Sequence, residues 1–466
     1  MVFSSLSFIF LLLAITFALY FLPFGRVYKN VVLLLASIIF YAWGEPRLVI
    51  VMIAVALVAY GGGLLIDKNR NNKSVSKMWM IITVAIIVAN LFIFKYLNFA
   101  ADNLAHIGFE ISIGEIRLPI GISFYTFQIL SYVIDLYRGS VKLQKNFFYL
   151  LLYLCFFPQL IAGPIVRYST VEEEINNREE KFDEIIAGSK RFIIGLAKKV
   201  ILANGIASFA EIVYAGTFEV YGTAMYWLAA LAYTFQIYFD FSGYSDMAIG
   251  LGLITGFHFL ENFEHPYIAT SITEFWRRWH ISLSTWFRDY VYIPLGGNRC
   301  SASRQVVNLL IVWALTGLWH GASWNFVLWG LYYFVLLIIE KFWGGKFLQG
   351  LPKIASWCIT MFFVSLGWVI FNITDFTALQ YALTSMFSSH KVEWLEMYLT
   401  NTGIASAAFY FIPCIICMFP VGKLTKKIEQ SEVGLALSHL WHLILLAISI
   451  IYIISSSYNP FIYFRF

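Results

Sequence analysis

Apolar stretches of helical length recur along the whole chain. They lie at 3–22, 28–43, 48–66, 78–99, 118–136, 187–214, 222–252, 306–321, 323–340, 354–371, 402–420 and 434–456. A helix needs roughly 20 such residues to cross a bilayer, and the run of stretches predicts about 11–12 crossings. Bilayer-spanning strands would show short alternating segments instead, and these are absent from the pattern. The expectation is an all-α polytopic membrane protein. Residues 3–22 lack a basic leader and a small-residue cleavage site, so they read as a retained helix and not a signal peptide. With no internal repeat, low-complexity tract or soluble segment in evidence, residues 1–466 read as one integral membrane domain.

Loop charges set the orientation. Basic loops stay on the cytosolic side. Lys68, Arg70, Lys73 and Lys77 against Asp67 mark 67–77 as one such loop, and Arg138, Lys142 and Lys145 mark 137–145 as another. The loop between them, 100–117, is acidic on balance and is expected outside, which puts the amino terminus outside as well. Region 274–304 is again basic. Three apolar segments separate it from residue 145, whereas two cytosolic points need an even number of crossings. One segment must therefore turn back. Pro158, Gly163 and Pro164 interrupt 147–166, which makes it the expected re-entrant segment. Stretch 274–295 alternates ionisable and aromatic residues, is too polar to span in lipid, and reads as interfacial helices ending in turns. The next span, 306–321, has only about 16 residues and is expected to leave His320 within the membrane thickness.

Composition agrees with the pattern. The chain is 60% hydrophobic and 13% charged, against about 25% charged in soluble domains, and its mean hydropathy is +0.73. The formal charge of +5 is spread over loops, which argues for topology and against nucleic-acid binding. The five cysteines make no disulfide framework. Cys414 and Cys417 have C-x-x-C spacing but sit in an apolar run, so they read as helix packing.

Ionisable groups are costly in a bilayer and tend to mark function there. His320 lies in Gly317-Leu318-Trp319-His320-Gly321-Ala322-Ser323-Trp324. The flanking glycines allow close approach, Trp319 and Trp324 can wall off water, and a neutral imidazole there could take a proton from an attacking hydroxyl. A histidine bonded across helices is the alternative. His280 follows Trp276-Arg277-Arg278-Trp279. Arg277, Arg278 and Arg288 suit a phosphate-bearing ligand, or anionic lipid headgroups. Asp240 and Tyr244 share a helix face, while Asp246 points elsewhere. One carboxylate could orient a histidine and the other pair with an arginine; a structural polar network is equally compatible. No phosphate-binding loop, HExxH zinc motif or dinucleotide fingerprint is present, and Gly61-Gly62-Gly63 reads as helix packing or a kink.

Taken together these segments resemble the membrane-bound O-acyltransferase family, especially its bacterial branch of alginate and peptidoglycan O-acetyltransferases. The resemblance rests on Met1–Ser5, Pro119–Gln128, Phe157–Pro164, Asp240–Asp246, Phe275–His280, Leu318–Gly321 and the ending Asn459–Phe466. It implies that His320 is the principal active-site histidine and His280 the second of the pair. It also implies helices around a thin core, with funnels from both faces meeting near the histidines. The donor it implies is cytosolic acetyl-CoA, the acceptor an extracytoplasmic polysaccharide, and the location the bacterial inner membrane. A hydrolase-like partner outside the cytosol would complete the transfer. Trp324 and Asn325 side chains are possible oxyanion donors. A D-alanyl transferase of teichoic acid using a carrier-protein thioester is the alternative within the family. A transporter of polysaccharide or lipid-linked sugar, and a secretion scaffold, are the alternatives outside it. A transporter often shows inverted repeats, and none is evident here.

Overall fold

A computed structural model describes residues 2–109, 111, 114, 116–161, 163–215, 218–388 and 406–455, and every regular element among them is helical. Seven helices are long and apolar enough to cross a bilayer: Arg26–Gly44, Val49–Lys68, Lys73–His106, Phe182–Ala215, Trp324–Gly350, Lys353–Asn372 and Glu432–Ser455. The other five apolar stretches also fall largely on helices. Ser7–Tyr20 and Ser406–Cys417 are shorter, and Ile122–Arg138, Phe218–Ile254 and Ala302–His320 carry more polar side chains. Length and apolarity together thus support seven crossings among the described residues, fewer than the 11–12 expected from the pattern alone. The terminal motif Asn459–Phe466 lies outside the described residues, as do Met1, Ala162 and the start of 402–420.

The chain forms two compact units, one of residues 1–192 with 245–260 and the other of residues 193–244 with 261–466. In the first, helix Ile122–Arg138 is buried along nearly its whole length, which is why its polar residues do not prevent it from forming inside an apolar unit. Gly62 supplies the close approach between helices expected of the triple glycine, because a Cβ there would collide with Thr83. Segment 147–166 does not form a span. Helix Phe147–Cys155 has nine residues, a rise of only about 13 Å, and the chain breaks at Phe156 before the four-residue turn Phe157–Leu160. Buried Arg178 closes the unit, donating to Asn30 Oδ1 at 2.7 Å and to the Thr255 carbonyl at 2.9 Å. Beside it, Arg26, Lys29 and Tyr20 all donate to Glu180. Burial pushes that carboxyl up, but these three donors outweigh it and hold it at about 2.

In the second unit, helices Ala302–His320 and Trp324–Ile339 form an antiparallel hairpin. Its closeness is set by glycine: a Cβ on Gly317 or Gly330 would strike the facing helix's backbone at Phe326 or Trp313. Ser301 caps the first helix by accepting from Arg304 N, so the helix starts earlier than the apolar run suggested. Its 19 residues rise about 28 Å, close to the ~30 Å hydrocarbon thickness. The helix is therefore longer than the run of about 16 apolar residues from which a short span was expected.

Candidate functional site

The two histidines of the sequence reading meet around one indole. His320 is the last residue of helix Ala302–His320 and is 4% exposed. Its imidazole packs edge-on against Trp319, Trp329 and Phe371, with centroids 5.0, 5.0 and 5.1 Å away. His280 packs edge-on against the same Trp319 at 5.8 Å. Aromatic walls therefore enclose His320. Of the walls, only Trp319 was singled out in the sequence. Trp324 is 52% exposed, and Trp329 and Phe371 take the enclosing place expected of it. A tryptophan nine residues after a histidine could have signalled this, because the hairpin folds Trp329 back onto the end of the preceding helix.

His280 sits at a break between two seven-residue helices, Ile272–Arg278 and Ile281–Phe287, as the interfacial reading of this stretch expects. Its backbone is left-handed, with φ 45° and ψ 55°, a conformation uncommon for a residue with a side chain and often kept at functional sites. Asn262 holds the break in place. Its carbonyl accepts from Ile281 N at 2.9 Å, and its side-chain oxygen accepts from Ser282 N and Oγ at 3.1 and 2.8 Å. Ser282 Oγ in turn lies 3.5 Å from His280 Nδ1. Complete burial pushes the His280 imidazole down to about 3, which favours its neutral form.

Side chains cap the N-terminus of the preceding helix. Ser271 Oγ accepts from Glu274 N, and Glu274 reaches back to Thr270 N. Glu340 adds a second cap, accepting from Ile272 N at 2.7 Å and Thr273 N at 3.0 Å. These caps aim the next residues. Arg278 turns onto Glu274 at 2.9 Å and the Glu264 carbonyl at 3.1 Å. Arg288 forks onto Asp289 at 2.7 and 3.1 Å. Arg277 faces a cleft of about 790 Å³. Arg278 and Arg288 thus take different partners, while Arg277 lines the cleft.

The two carboxylates of the long helix also diverge, as their angular separation requires. Asp240 forms a fully buried ion pair with Lys199 at 2.6 Å, side chains 1% and 2% exposed. A π-helical turn, Lys198–Ala203, presents that lysine where Gly243 packs on the Gly195 carbonyl. Asp246 belongs to the first unit and accepts from Arg191 Nε and Nη2 at 3.1 and 2.9 Å. Tyr244, between them, is buried. Asn325 is fully buried, and its amide nitrogen donates to the carbonyls of Phe371 and Ile370 at 3.1 and 3.4 Å. It braces the wall beside His320, which engages the donor that an oxyanion role would need.

The chain matches the family model described as MBOAT, membrane-bound O-acyltransferase family, over residues 143–388. That segment contains both histidines, all three arginines and the Asp240–Asp246 motif. The chain is 40% identical to the Pseudomonas aeruginosa protein described as "Probable alginate O-acetylase AlgI", over 93% of this chain and 84% of that one. It is 32% identical to the peptidoglycan O-acetyltransferase of Helicobacter pylori, over 100% and 98%. Similarity to the teichoic acid D-alanyltransferase of Bacillus subtilis is 31%, over 54% of this chain and 68% of that one. The chain is therefore a multi-pass member of the membrane-bound O-acyltransferase family, an enzyme that transfers acyl groups to oxygen.

Proposed function

We propose that the protein moves an acetyl group from cytosolic acetyl-CoA across the bacterial inner membrane for O-acetylation of an extracytoplasmic polysaccharide. The observation that carries this reading is the enclosure of His320 by three aromatic rings at the end of a helix whose other end is basic. In such an environment a neutral imidazole can remove the proton from an acceptor hydroxyl as its oxygen bonds to the acetyl carbon. The carbon–sulfur bond breaks, and the proton passes from the imidazolium to the departing thiolate. No charged product is left in the enclosed site. His280, packed against Trp319, orders the site from the donor side, and Arg277, Arg278 and Arg288 belong to the surface that meets the donor. A hydrolase-like partner outside the cytosol would carry the acetyl group onward to the glycan.

The relatives support the acceptor class, since those similar over most of the chain are described by alginate and peptidoglycan acetylation. The D-alanyl alternative matches over about half of the chain. Supplying purified enzyme with labelled acetyl-CoA, or with D-alanine on a carrier protein, separates the two. Label from acetyl-CoA is expected on the acceptor. Label arriving only from the carrier would refute the donor assignment.

A further inference from the structure

Acyl transfer places negative charge on the carbonyl oxygen, and an enclosed site meets that charge with hydrogen-bond donors. Neither side chain expected to donate is in a position to do so. Trp324 is exposed, and the Asn325 amide nitrogen is engaged by two backbone carbonyls. The rings that wall the imidazole differ in what they offer. Phe371 has no polar atom. Trp329 is fully buried, yet its indole Nε1 has no hydrogen-bond partner among the described residues. Buried polar groups are nearly always bonded, and an orphaned donor is costly. An indole donates and does not accept, so the group that satisfies Trp329 is an oxygen with a lone pair to give. The ring is held on several sides. It lies 5.0 Å from His320, 5.2 Å from Phe371, 5.2 Å from Tyr333 and 5.5 Å from Trp276. Gly330, the next residue, packs so closely on the Trp313 carbonyl that a Cβ there would collide with it. Tyr333 is equally buried and its hydroxyl is also unpartnered, but that hydroxyl is packed against Gly367 and its ring makes no contact with His320 among the described residues.

Resting on the acyl-transfer reading above, we propose that Trp329 is a catalytic residue whose indole N–H donates to the acyl oxygen as that oxygen becomes negative. As the acceptor oxygen bonds to the carbonyl carbon, its proton passes to His320 and the carbonyl π pair moves onto the acyl oxygen. The Trp329 N–H meets the charge formed there. The pair then returns to re-form the carbonyl, the carbon–sulfur bond breaks, and the imidazolium gives its proton to the departing thiolate. Position suits the task, because the tetrahedral carbon forms beside His320 and its oxygen lies one bond away, where a ring already touching the imidazole can reach it. Chemistry suits it as well. A neutral N–H adds no charge to an apolar enclosure and competes with no carboxylate. Rings on several sides keep the indole from turning to another partner, so the donor needs little reorganisation as charge develops, and it acts in a medium where hydrogen bonds count for more than in water.

The test removes the N–H and keeps the ring. Trp329→benzothienylalanine puts sulfur in place of the indole N–H at nearly constant shape, and Trp329→Phe deletes the same donor with natural residues. In the full-length protein in nanodiscs, both should lower kcat for acetyl transfer by about 10²–10³-fold, the range for loss of one oxyanion donor, with donor affinity unchanged. A second readout uses the dithioester analogue of acetyl-CoA, whose thiocarbonyl sulfur accepts hydrogen bonds weakly. Wild type should discriminate strongly against this analogue, and both variants should lose most of that discrimination. Tyr333→Phe deletes an equally buried hydroxyl and should change neither value. Activity within about tenfold of wild type in the benzothienylalanine variant would overturn the proposal. So would a slowed variant that keeps the wild-type discrimination, because that pattern marks a packing role, as for an N–H laid against a ring face. An equal fall in Tyr333→Phe would overturn it too, by showing that loss of any buried polar group suffices. If wild type moves no acetyl group, the acyl-transfer reading itself fails; if wild type does and the variants match it, only the role of Trp329 fails.

Discussion

His320→Ala should leave a protein that inserts, folds and binds donor but transfers acetyl groups about 10²–10⁴-fold more slowly, the range for loss of a positioned general base. The imidazole is enclosed by Trp319, Trp329 and Phe371, and replacing it opens space among those rings. His320→Gln keeps much of the volume and a hydrogen-bonding group, so it separates loss of proton transfer from loss of packing. Both variants should show the same fall in kcat with little change in donor affinity. A purely structural histidine predicts a different pattern: the glutamine variant stays active, or the alanine variant loses donor binding and thermal stability together. Activity within tenfold of wild type in either variant would exclude His320 as the base.

The second large effect is on stability. Asp240→Asn removes one partner of a buried pair and leaves the Lys199 ammonium at 2% exposure without its counter-charge. Breaking such pairs typically costs about 3–5 kcal/mol, whereas replacing both partners with apolar residues of similar size is often neutral. Asp240→Asn is therefore expected to lower the melting temperature in detergent sharply, and Lys199→Met to do the same. The double variant Lys199→Met/Asp240→Leu should recover most of the loss. Equal destabilisation by all three would show that Asp240 matters through contacts other than the ion pair.

What could be read from the sequence follows from which signals are local. Helical class and membrane residence are properties of apolar stretches, and the break at 147–166 announces itself through Pro158 and Gly163. The histidines stand out because ionisable side chains are rare in such a chain. The angular rule on one helix was enough to predict that Asp240 and Asp246 face different partners. It could not predict which ones, because Lys199 and Arg191 lie on another helix and only tertiary packing selects them. For the same reason Phe371 and Asn262 were invisible as site residues: Phe371 reaches His320 from a separate helix, and Asn262 bonds the residues that follow His280 only once the helix break has formed. The three arginines looked alike in sequence. Glu274 and Asp289 draw two of them aside, while the cations that line the cleft with the third, Lys341 and Lys346, lie more than sixty residues further along. The depth of His320 was argued from an apolar run that understates its helix, since a polar first turn capped by Ser301 extends it. The aromatic contacts that enclose His320 are not measured by hydropathy.

The central claim is that an acetyl group crosses the membrane through this protein. It is tested most directly with proteoliposomes in which the protein has one orientation. Labelled acetyl-CoA is supplied on the face carrying Arg299, Arg304 and Lys341, and acceptor glycan with the extracytoplasmic partner is confined to the other face. Wild type should place label on the glycan across a sealed bilayer, and His320→Ala should not. Label that appears only when donor and glycan share one face would contradict the account.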